Sequence, residues 1–196
     1  MRCLLCLWLC CLAAPLHAAT VLVFGDSLSA GYGLPPGQGY VALLQKTLAP
    51  LHAVVNASVS GETSDGGLTR LPEALKQHHP DIVILELGAN DGLRGLPLGN
   101  MQNNLNSMLE LIRQAKAKPL LVGMALPPNY GTQYTTKFHA VYDGLAQQHK
   151  LAYVPFLLAG FAAERKNFQP DGLHPNAQMQ PVMRDTILKV LKPLLR

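Results

Sequence analysis

The sequence predicts an α/β fold in which a parallel sheet is covered by helices on both faces. Short runs of β-branched and other apolar residues alternate with longer amphipathic stretches along the chain. Strands that are separated by helices form βαβ units, and the strands of such units run parallel. The strongest predicted strand, 81–87, is nearly continuous in apolar residues, as a strand buried on both faces of a parallel sheet should be.

Strands and helices are predicted in alternation. The strands are expected at 20–24, 52–56, 81–87, 119–125 and 151–155. The helices are expected at 40–48, 67–78, 101–117 and 135–150, and a last helix is expected from Pro175 or Asn176 to Leu191. Apolar residues recur at helical spacing in two of them: Leu105, Met108, Leu109 and Ile112 in one, and Phe138, Val141, Tyr142 and Leu145 in the other.

The composition fits one domain with a single hydrophobic core. The chain has 196 residues, of which 48% are hydrophobic and 14% charged, and this excludes a disordered chain. The basic residues are scattered rather than clustered, so nucleic acid is not an expected partner. No set of side chains has the spacing of metal ligands, and neither a metal nor another cofactor is expected.

The first 18 residues are predicted to be a cleaved signal peptide. Met1 and Arg2 form a short basic start, an apolar run follows, and small residues precede a cleavage point after Ala18. The apolar run is shorter than the ~20 residues that a membrane-spanning helix needs. We therefore expect a mature domain at 19–196 that is exported to the periplasm or secreted, without a stable membrane anchor. All four cysteines lie in the leader, so neither a disulfide nor a thiolate nucleophile is expected.

Ser27 is the candidate nucleophile. It follows the first predicted strand, in the segment Gly-Asp-Ser-Leu-Ser at 25–29. A serine hydroxyl is a weak nucleophile and needs a base within hydrogen-bond reach. Taken alone, the segment also fits a helix cap or a loop that binds phosphate through backbone amides. The presence of a suitable base elsewhere in the chain therefore decides between these interpretations.

His174 is the candidate base, and Asp171 is its candidate partner. The two lie three residues apart in the segment Asp-Gly-Leu-His-Pro at 171–175. In a tight loop the carboxylate can reach the imidazole Nδ1 hydrogen, which leaves Nε2 free to accept the serine proton. The alternative is a core or capping histidine, with Pro175 opening the last helix.

Two further segments offer donors for an oxyanion hole. Gly61 can bring a backbone amide into a crowded site because it has no Cβ, and Asn90 can offer its side-chain amide. The backbone amide of Ser27 would be the third donor. Ser27, Gly61 and Asn90 follow the first three predicted strands, and ligands of parallel sheets bind at the carboxyl ends of strands. Taken alone, Asn90 also fits a turn-forming Asn-Asp pair.

Together these segments resemble the sequence blocks of the GDSL/SGNH hydrolases. The matching segments are 25–28, Gly61, 88–91 and 171–175, and the resemblance extends over essentially all of the mature chain. It is strongest to a bacterial periplasmic group of multifunctional acyl hydrolases with thioesterase, protease, lysophospholipase or arylesterase activity. The resemblance implies a flavodoxin-like three-layer α/β/α fold, the SGNH hydrolase fold, with strand order 2-1-3-4-5. It also implies a catalytic triad of Ser27, Asp171 and His174, with an oxyanion hole made by Ser27, Gly61 and Asn90.

The sequence therefore predicts a serine hydrolase that cleaves esters and thioesters through an acyl intermediate on Ser27. We expect a monomer that acts on a small-molecule acyl substrate. Two alternatives remain open: a carbohydrate O-acetylesterase with the same triad, and a non-catalytic module that binds an anionic ligand. Apolar residues near the expected mouth suggest a groove for an acyl chain, although ordinary packing also explains them: Leu28, Leu93, Leu126, Tyr130 and Leu173.

Overall fold

A five-stranded parallel sheet lies between two layers of helices in the computed structural model, which describes residues 18–195. The strand order is β2-β1-β3-β4-β5, and every pair of neighbouring strands is parallel, so the predicted fold class and strand order are confirmed. The strands are β1 (Thr20–Gly25), β2 (Ala53–Asn56), β3 (Ile82–Glu86), β4 (Lys118–Val122) and β5 (Ala152–Val154).

The helices divide between the two faces of the sheet. On one face α3 packs against α5, and α5 packs against α6; on the other face α2 packs against α7. The α-helices are α1 (Ser27–Ala30), α2 (Tyr40–Leu48), α3 (Ser64–His78), α4 (Ala89–Leu93), α5 (Leu98–Gln114), α6 (Thr132–His149) and α7 (Gln180–Leu191).

The apolar patterns of the sequence correspond to buried faces. Every residue of β3 is buried, because helices cover this central strand on both sides. The four apolar positions predicted for one face of α5 are fully buried, and the four on α6 are buried as well. Burial of these continuous apolar surfaces is what stabilises the three layers.

The predicted start of the last helix is wrong. Pro175 does not open a helix; it pairs with Phe168 in an isolated antiparallel bridge. A short 3-10 turn, Ala177–Met179, follows, and α7 begins only at Gln180. The Pro175 carbonyl accepts a hydrogen bond from the side chain of Gln180 at 3.3 Å, which holds this segment against the start of the helix. The bridge between Phe168 and Pro175 therefore closes a loop that contains His174.

Four of the five strands lead into a segment that carries a candidate catalytic residue. Ser27 follows β1 directly, Gly61 lies between β2 and α3, and Asn90 follows β3 within α4. Asp171 and His174 lie in the long connection between β5 and α7. Parallel strands end at one edge, so these five residues converge there.

The predicted signal peptide falls almost entirely outside the described residues, which begin at 18. Between residues 18 and 195, no helix has both the length and the apolar character that crossing a bilayer requires.

Candidate active site

Ser27 is presented by a sharp turn from strand to helix. It is the first residue of α1, and the Asp26 side chain caps this helix by accepting a hydrogen bond from the Leu28 N–H at 3.0 Å. Gly31 ends the helix after one turn in the left-handed conformation, with φ of 76°. Ser27 is consequently fixed at the edge of the sheet, where it lines a cavity.

The imidazole of His174 bridges Ser27 and Asp171. Its Nε2 atom lies 2.9 Å from the Ser27 hydroxyl, and its Nδ1 atom lies 2.7 Å from Asp171 Oδ2. A proton on Nδ1 faces the carboxylate, so Nε2 is the nitrogen that can accept the serine proton. The chain thus brings together a hydroxyl, a base and an orienting carboxylate from positions 147 residues apart.

Asp171 is held in its ionised form. Partial burial raises the pKa of this carboxyl, but the backbone N–H groups of Leu173 and His174 and the His174 side chain outweigh burial and lower the pKa to about 2. The two backbone N–H groups donate to Oδ1 at 2.9 and 3.0 Å. The carboxylate therefore remains negative near neutral pH, where it stabilises a protonated His174.

The loop that carries His174 is braced by Arg165 and Gln169. The Arg165 guanidinium donates to the carbonyls of Gln169 and Pro170 at 2.7 and 2.6 Å. The Gln169 N–H donates to the His174 carbonyl at 2.8 Å, and the Gln169 side chain donates to the Tyr32 carbonyl at the same distance. The ring of Tyr32 packs on the imidazole of His174, with ring centroids 4.6 Å apart. These contacts fix the His174 ring against the loop that follows Ser27.

Asn90, which follows β3, forms hydrogen bonds to residues that follow β1 and β2. Its side-chain amide donates to Asp26 Oδ2 at 3.1 Å and to the Glu62 carbonyl at 2.9 Å. An amide nitrogen has two hydrogens, and both are engaged in these bonds. Asn90 can therefore donate to the oxygen of a reacting substrate only if one of these two hydrogen bonds is shared with that oxygen or broken.

Gly61 lies at the tip of a turn. The Glu62 N–H donates to the Val59 carbonyl at 3.1 Å, and Gly61 occupies the third turn position with φ of 78°. A side chain is disfavoured at this φ, so glycine is required here. The guanidinium of Arg94 donates to the Gly61 carbonyl at 2.9 Å and so fixes the orientation of the turn.

Two acidic side chains are buried close to the start of α1, Asp26 and Glu86. Glu86, the last residue of β3, is fully buried, and its Oε2 atom accepts from the Ser29 hydroxyl at 2.7 Å and the Asp26 N–H at 3.3 Å. Burial raises the pKa of Asp26 to about 6, and burial together with the neighbouring Asp26 raises that of Glu86 well above its usual 4.5. Burial beside a second acid therefore favours the protonated form of Glu86.

A cavity of about 780 Å³ extends from Ser27 and His174. Its lining includes polar groups of Ser27, Asn90 and His174, and most of the rest is apolar. Four of the five apolar residues expected at the mouth line it, namely Leu28, Leu93, Leu126 and Leu173. Tyr130 is outside the lining, where its hydroxyl donates to the Leu93 carbonyl at 3.0 Å. The size and apolar character are typical of a small-molecule site.

Sequence reasoning did not identify the contacts that support this cavity. Part of its lining comes from the connection between β5 and α7: Phe156, Leu158, Ala162, Ala163 and Phe168. The bracing by Arg165 and Gln169 had no signal in the sequence. Glu86 could have been identified from the sequence, because a single acid within an otherwise apolar strand is unusual. Within 18–195, no cluster of three His, Cys, Asp or Glu residues is placed to hold a metal ion.

Comparison with known proteins decides the family. Residues 23–180 match the family model described as the GDSL-like Lipase/Acylhydrolase family. The chain belongs to this family. It is 49% identical over 193 residues to Esterase TesA of Pseudomonas aeruginosa, covering 97% of this chain and 96% of that protein. It is 43% identical over 178 residues to Thioesterase 1/protease 1/lysophospholipase L1 of Escherichia coli K12, covering 91% and 86%.

Solved structures agree with this assignment. The crystal structure of TesA superposes with a TM-score of 0.86 at 49% identity, over 89% of this chain and 99% of that one. The psychrotrophic esterase EstA from Pseudoalteromonas sp. superposes with a TM-score of 0.84 at 39% identity, over 90% and 98%. As a member of the family the chain is an acyl hydrolase, and the alternative of a non-catalytic binding module is not supported.

Proposed function

We propose that this acyl hydrolase uses Ser27 as nucleophile, His174 as general base and acid, and Asp171 as the group that orients His174. The continuous contact from the Ser27 hydroxyl through both imidazole nitrogens to the Asp171 carboxylate carries the proposal. A nucleophile, a base and an orienting group in such contact have the geometry that nucleophilic acyl transfer needs.

The reaction proceeds in two steps. The Ser27 oxygen attacks the acyl carbonyl while His174 Nε2 takes the hydroxyl proton, and the resulting oxyanion is stabilised by the Ser27 and Gly61 N–H groups and the Asn90 side chain. His174 then returns the proton to the leaving oxygen or sulfur, and the acyl group remains on Ser27. Water, deprotonated by His174, releases the carboxylic acid and restores the serine.

The substrates are fatty acyl esters and thioesters, including lysophospholipids, acyl-CoA-type thioesters and aryl esters. The largely apolar lining, which includes Phe156 and Phe168, supports an acyl chain as the bound group. Relatives carry the names esterase, thioesterase, lysophospholipase and, in Vibrio mimicus at 39% identity, arylesterase. An O-acetylesterase of carbohydrates uses the same triad, but a small acyl pocket and polar glycan contacts suit it better than this apolar wall.

The enzyme acts as an exported monomer without a cofactor. Residues 1–18 direct export to the periplasm, or secretion, and are removed after Ala18. The exported protein should accordingly begin at Ala19, which intact-mass measurement checks. Retention of the leader in exported material would contradict this part of the proposal.

A chain-length series tests the substrate class. With p-nitrophenyl esters and acyl-CoA thioesters of increasing length, kcat/KM should rise from acetyl to medium-chain substrates, because longer chains bury more apolar surface. The Ser27→Ala variant, assayed in parallel, controls for non-enzymatic hydrolysis. A sharp preference for acetate would instead favour the O-acetylesterase.

A further inference from the structure

Four buried polar residues are joined by a continuous series of hydrogen bonds. The Tyr40 hydroxyl lies 2.6 Å from the Ser29 hydroxyl, which donates to Glu86 Oε2 at 2.7 Å. The backbone N–H of Tyr40 donates to Gln180 Oε1 at 2.9 Å. We call these four residues the buried network: Glu86 of β3, Ser29 of α1, Tyr40 of α2 and Gln180 of α7. The network therefore joins four elements from distant parts of the sequence.

The Ser29 end of the buried network lies in the helix that presents Ser27. Ser29 follows Ser27 by two residues in α1, which is a single turn long. The one hydrogen of the Ser29 hydroxyl is donated to Glu86, so the Tyr40 hydroxyl is the donor to Ser29. Burial raises the pKa of Tyr40 well above its usual 10, so the hydroxyl keeps the hydrogen that this bond requires. Tyr40 thereby holds the short helix of the candidate nucleophile.

The Gln180 end of the buried network holds the loop that carries His174. Gln180 Nε2 donates to the carbonyls of Pro175 and Asn176, both at 3.3 Å. These two residues directly follow His174. The side-chain oxygen of Gln180 is bonded to α2 and its two amide hydrogens are bonded to the loop, so the whole amide group is engaged.

The contact between α1 and α2 explains why Gln180 is needed. The N–H of Tyr40, at the first position of α2, has no acceptor within the helix, and Gly39 before it has no side chain that could cap it. A Cβ added to Gly39 would lie only 3.3 Å from the Cα of Gly31, because the two helices meet there through their glycines. The close approach thus excludes an ordinary capping residue, and Gln180 of α7 supplies the acceptor instead.

We propose that Tyr40 and Gln180 are positioning residues for Ser27 and His174. Neither lines the cavity, but together they attach the helix of the nucleophile and the loop of the base to the start of α2. In this way they maintain the distance of 2.9 Å between Ser27 Oγ and His174 Nε2. A displacement of about 1 Å between reacting groups can cost on the order of 100-fold in rate. The proposal rests on the proposed function, because it assumes that Ser27 and His174 react together.

A second connection limits the loss that we expect when the buried network is broken. Gln169 Nε2 donates to the Tyr32 carbonyl at 2.8 Å and to the Pro175 carbonyl at 3.2 Å. It therefore also links the segment after α1 to the loop of His174. Loss of Tyr40 or Gln180 contacts should loosen the catalytic pair without separating it, which corresponds to a partial loss of rate.

Two conservative substitutions test the proposal. Tyr40→Phe keeps the ring and removes the bond to Ser29, and Gln180→Met keeps the length of the side chain and removes its bonds to α2 and the loop. Each should lower kcat on soluble p-nitrophenyl butyrate about tenfold and leave KM within about twofold, since neither residue lines the cavity. The rate at which an organophosphonate labels Ser27 should fall by the same factor, because labelling also requires His174 to accept the serine proton.

The double variant separates positioning from a general contribution to stability. The bonds of the network lie in series between α1 and the loop, so Tyr40→Phe/Gln180→Met should lose about as much kcat as either single variant. Independent effects would multiply instead. The matched controls are Gln45→Met, whose Oε1 accepts the Val54 N–H at 2.7 Å, and Tyr153→Phe, whose hydroxyl donates to Asp143 at 2.9 Å. Both should lower the melting temperature and leave kcat within about twofold.

All rates are measured at a temperature where circular dichroism shows every variant to be folded. A kcat within about twofold of the unmodified enzyme in the folded variants would overturn the positioning role. So would an equal loss of kcat in the controls, or a multiplied loss in the double variant. If one single variant does not fold, the other decides by its kcat and labelling rate. Failure of the unmodified protein to hydrolyse the ester or to take the label would instead refute the proposed function.

Discussion

The side-chain amide of Asn90 donates a hydrogen bond to the Asp26 carboxylate at 3.1 Å. The other oxygen of that carboxylate caps the helix that begins with Ser27. One buried carboxylate therefore orients both the proposed nucleophile and a proposed oxyanion donor. Its two neighbours come from the ends of β1 and β3, which are adjacent in the sheet.

Replacement of Asp26 by asparagine should separate these two roles. In Asp26→Asn the side-chain oxygen can still cap the Leu28 N–H, but the new amide nitrogen faces the amide of Asn90, and two donors cannot bond. We expect kcat to fall about 10- to 100-fold with little change in KM, as for loss of a group that orients a functional residue. A kcat within twofold of the unmodified enzyme would contradict this role.

Asn90→Ala should lower kcat about 100- to 1,000-fold, the usual loss for one oxyanion donor. Steady-state assays on a soluble ester measure this effect. Asn106→Ala is a suitable control, because Asn106 bonds to Glu110 and His149 on α5 and α6, away from the cavity. A loss of less than about threefold would remove Asn90 from the proposed oxyanion hole.

Ser27→Ala should retain its fold and lower kcat by roughly 10⁴-fold or more, because no acyl intermediate can form. Mass spectrometry after treatment with an organophosphonate gives a second measurement: the unmodified chain should gain the label at Ser27, and the variant should not. The EstA relative has been crystallised in a form inhibited by monoethylphosphonate. Near-normal turnover by the variant would exclude Ser27 as the nucleophile.

Arg165→Ala should weaken catalysis through the loop that carries Asp171 and His174. Two backbone carbonyls lose their donor, so the base is held less firmly, and we expect kcat to fall about tenfold. Arg184→Ala is the matched control, since this arginine pairs with Asp185 on α7. Equal kcat values in the two variants would show that the bracing by Arg165 is dispensable.

Glu86→Gln should change how stability depends on pH. The folded-state pKa of Glu86 is raised, so its stabilising effect is complete below the unfolded value of 4.5 and is lost as pH rises through the folded pKa. Between the unfolded value and the raised folded-state pKa, the unmodified protein should lose up to about 1.4 kcal/mol of unfolding free energy per pH unit relative to the variant. Urea unfolding of both proteins from pH 5 to pH 8 measures the difference. Parallel curves would show that residue 86 does not retain a proton.

The strands and the long helices were predictable because their apolar residues form continuous runs or recur at helical spacing. The bounds of α2 agree residue for residue with the prediction, and β3 was evident from its apolar run. The short helices α1 and α4 were missed, because one turn of helix is too short to show a period. The start of α7 was misplaced, because Pro175 fits a helix start locally and no periodic pattern marks its bridge to Phe168.

The motif residues of the candidate site were accessible from the sequence, but their supports were not. Ser27, Asp171 and His174 were suggested by local spacing and by what a hydroxyl, a carboxylate and an imidazole can do together. The contacts of Arg165 go to backbone carbonyls, which any sequence provides, so no pattern marks them. The raised pKa of Glu86 depends on burial beside a second acid, and this environment arises only when β1 and β3 pair.

The connection between β5 and α7 contributes several residues to the cavity lining and also contains Asp171 and His174. Evolution or engineering that reshapes this segment to accept a different acyl group therefore risks displacing His174. Met124 and Leu126 also line the cavity, but they lie in the connection that follows β4, so changes there do not alter the segment that carries His174. The range of accepted acyl groups should consequently change more readily through substitutions in the connection after β4 than through substitutions in the connection after β5.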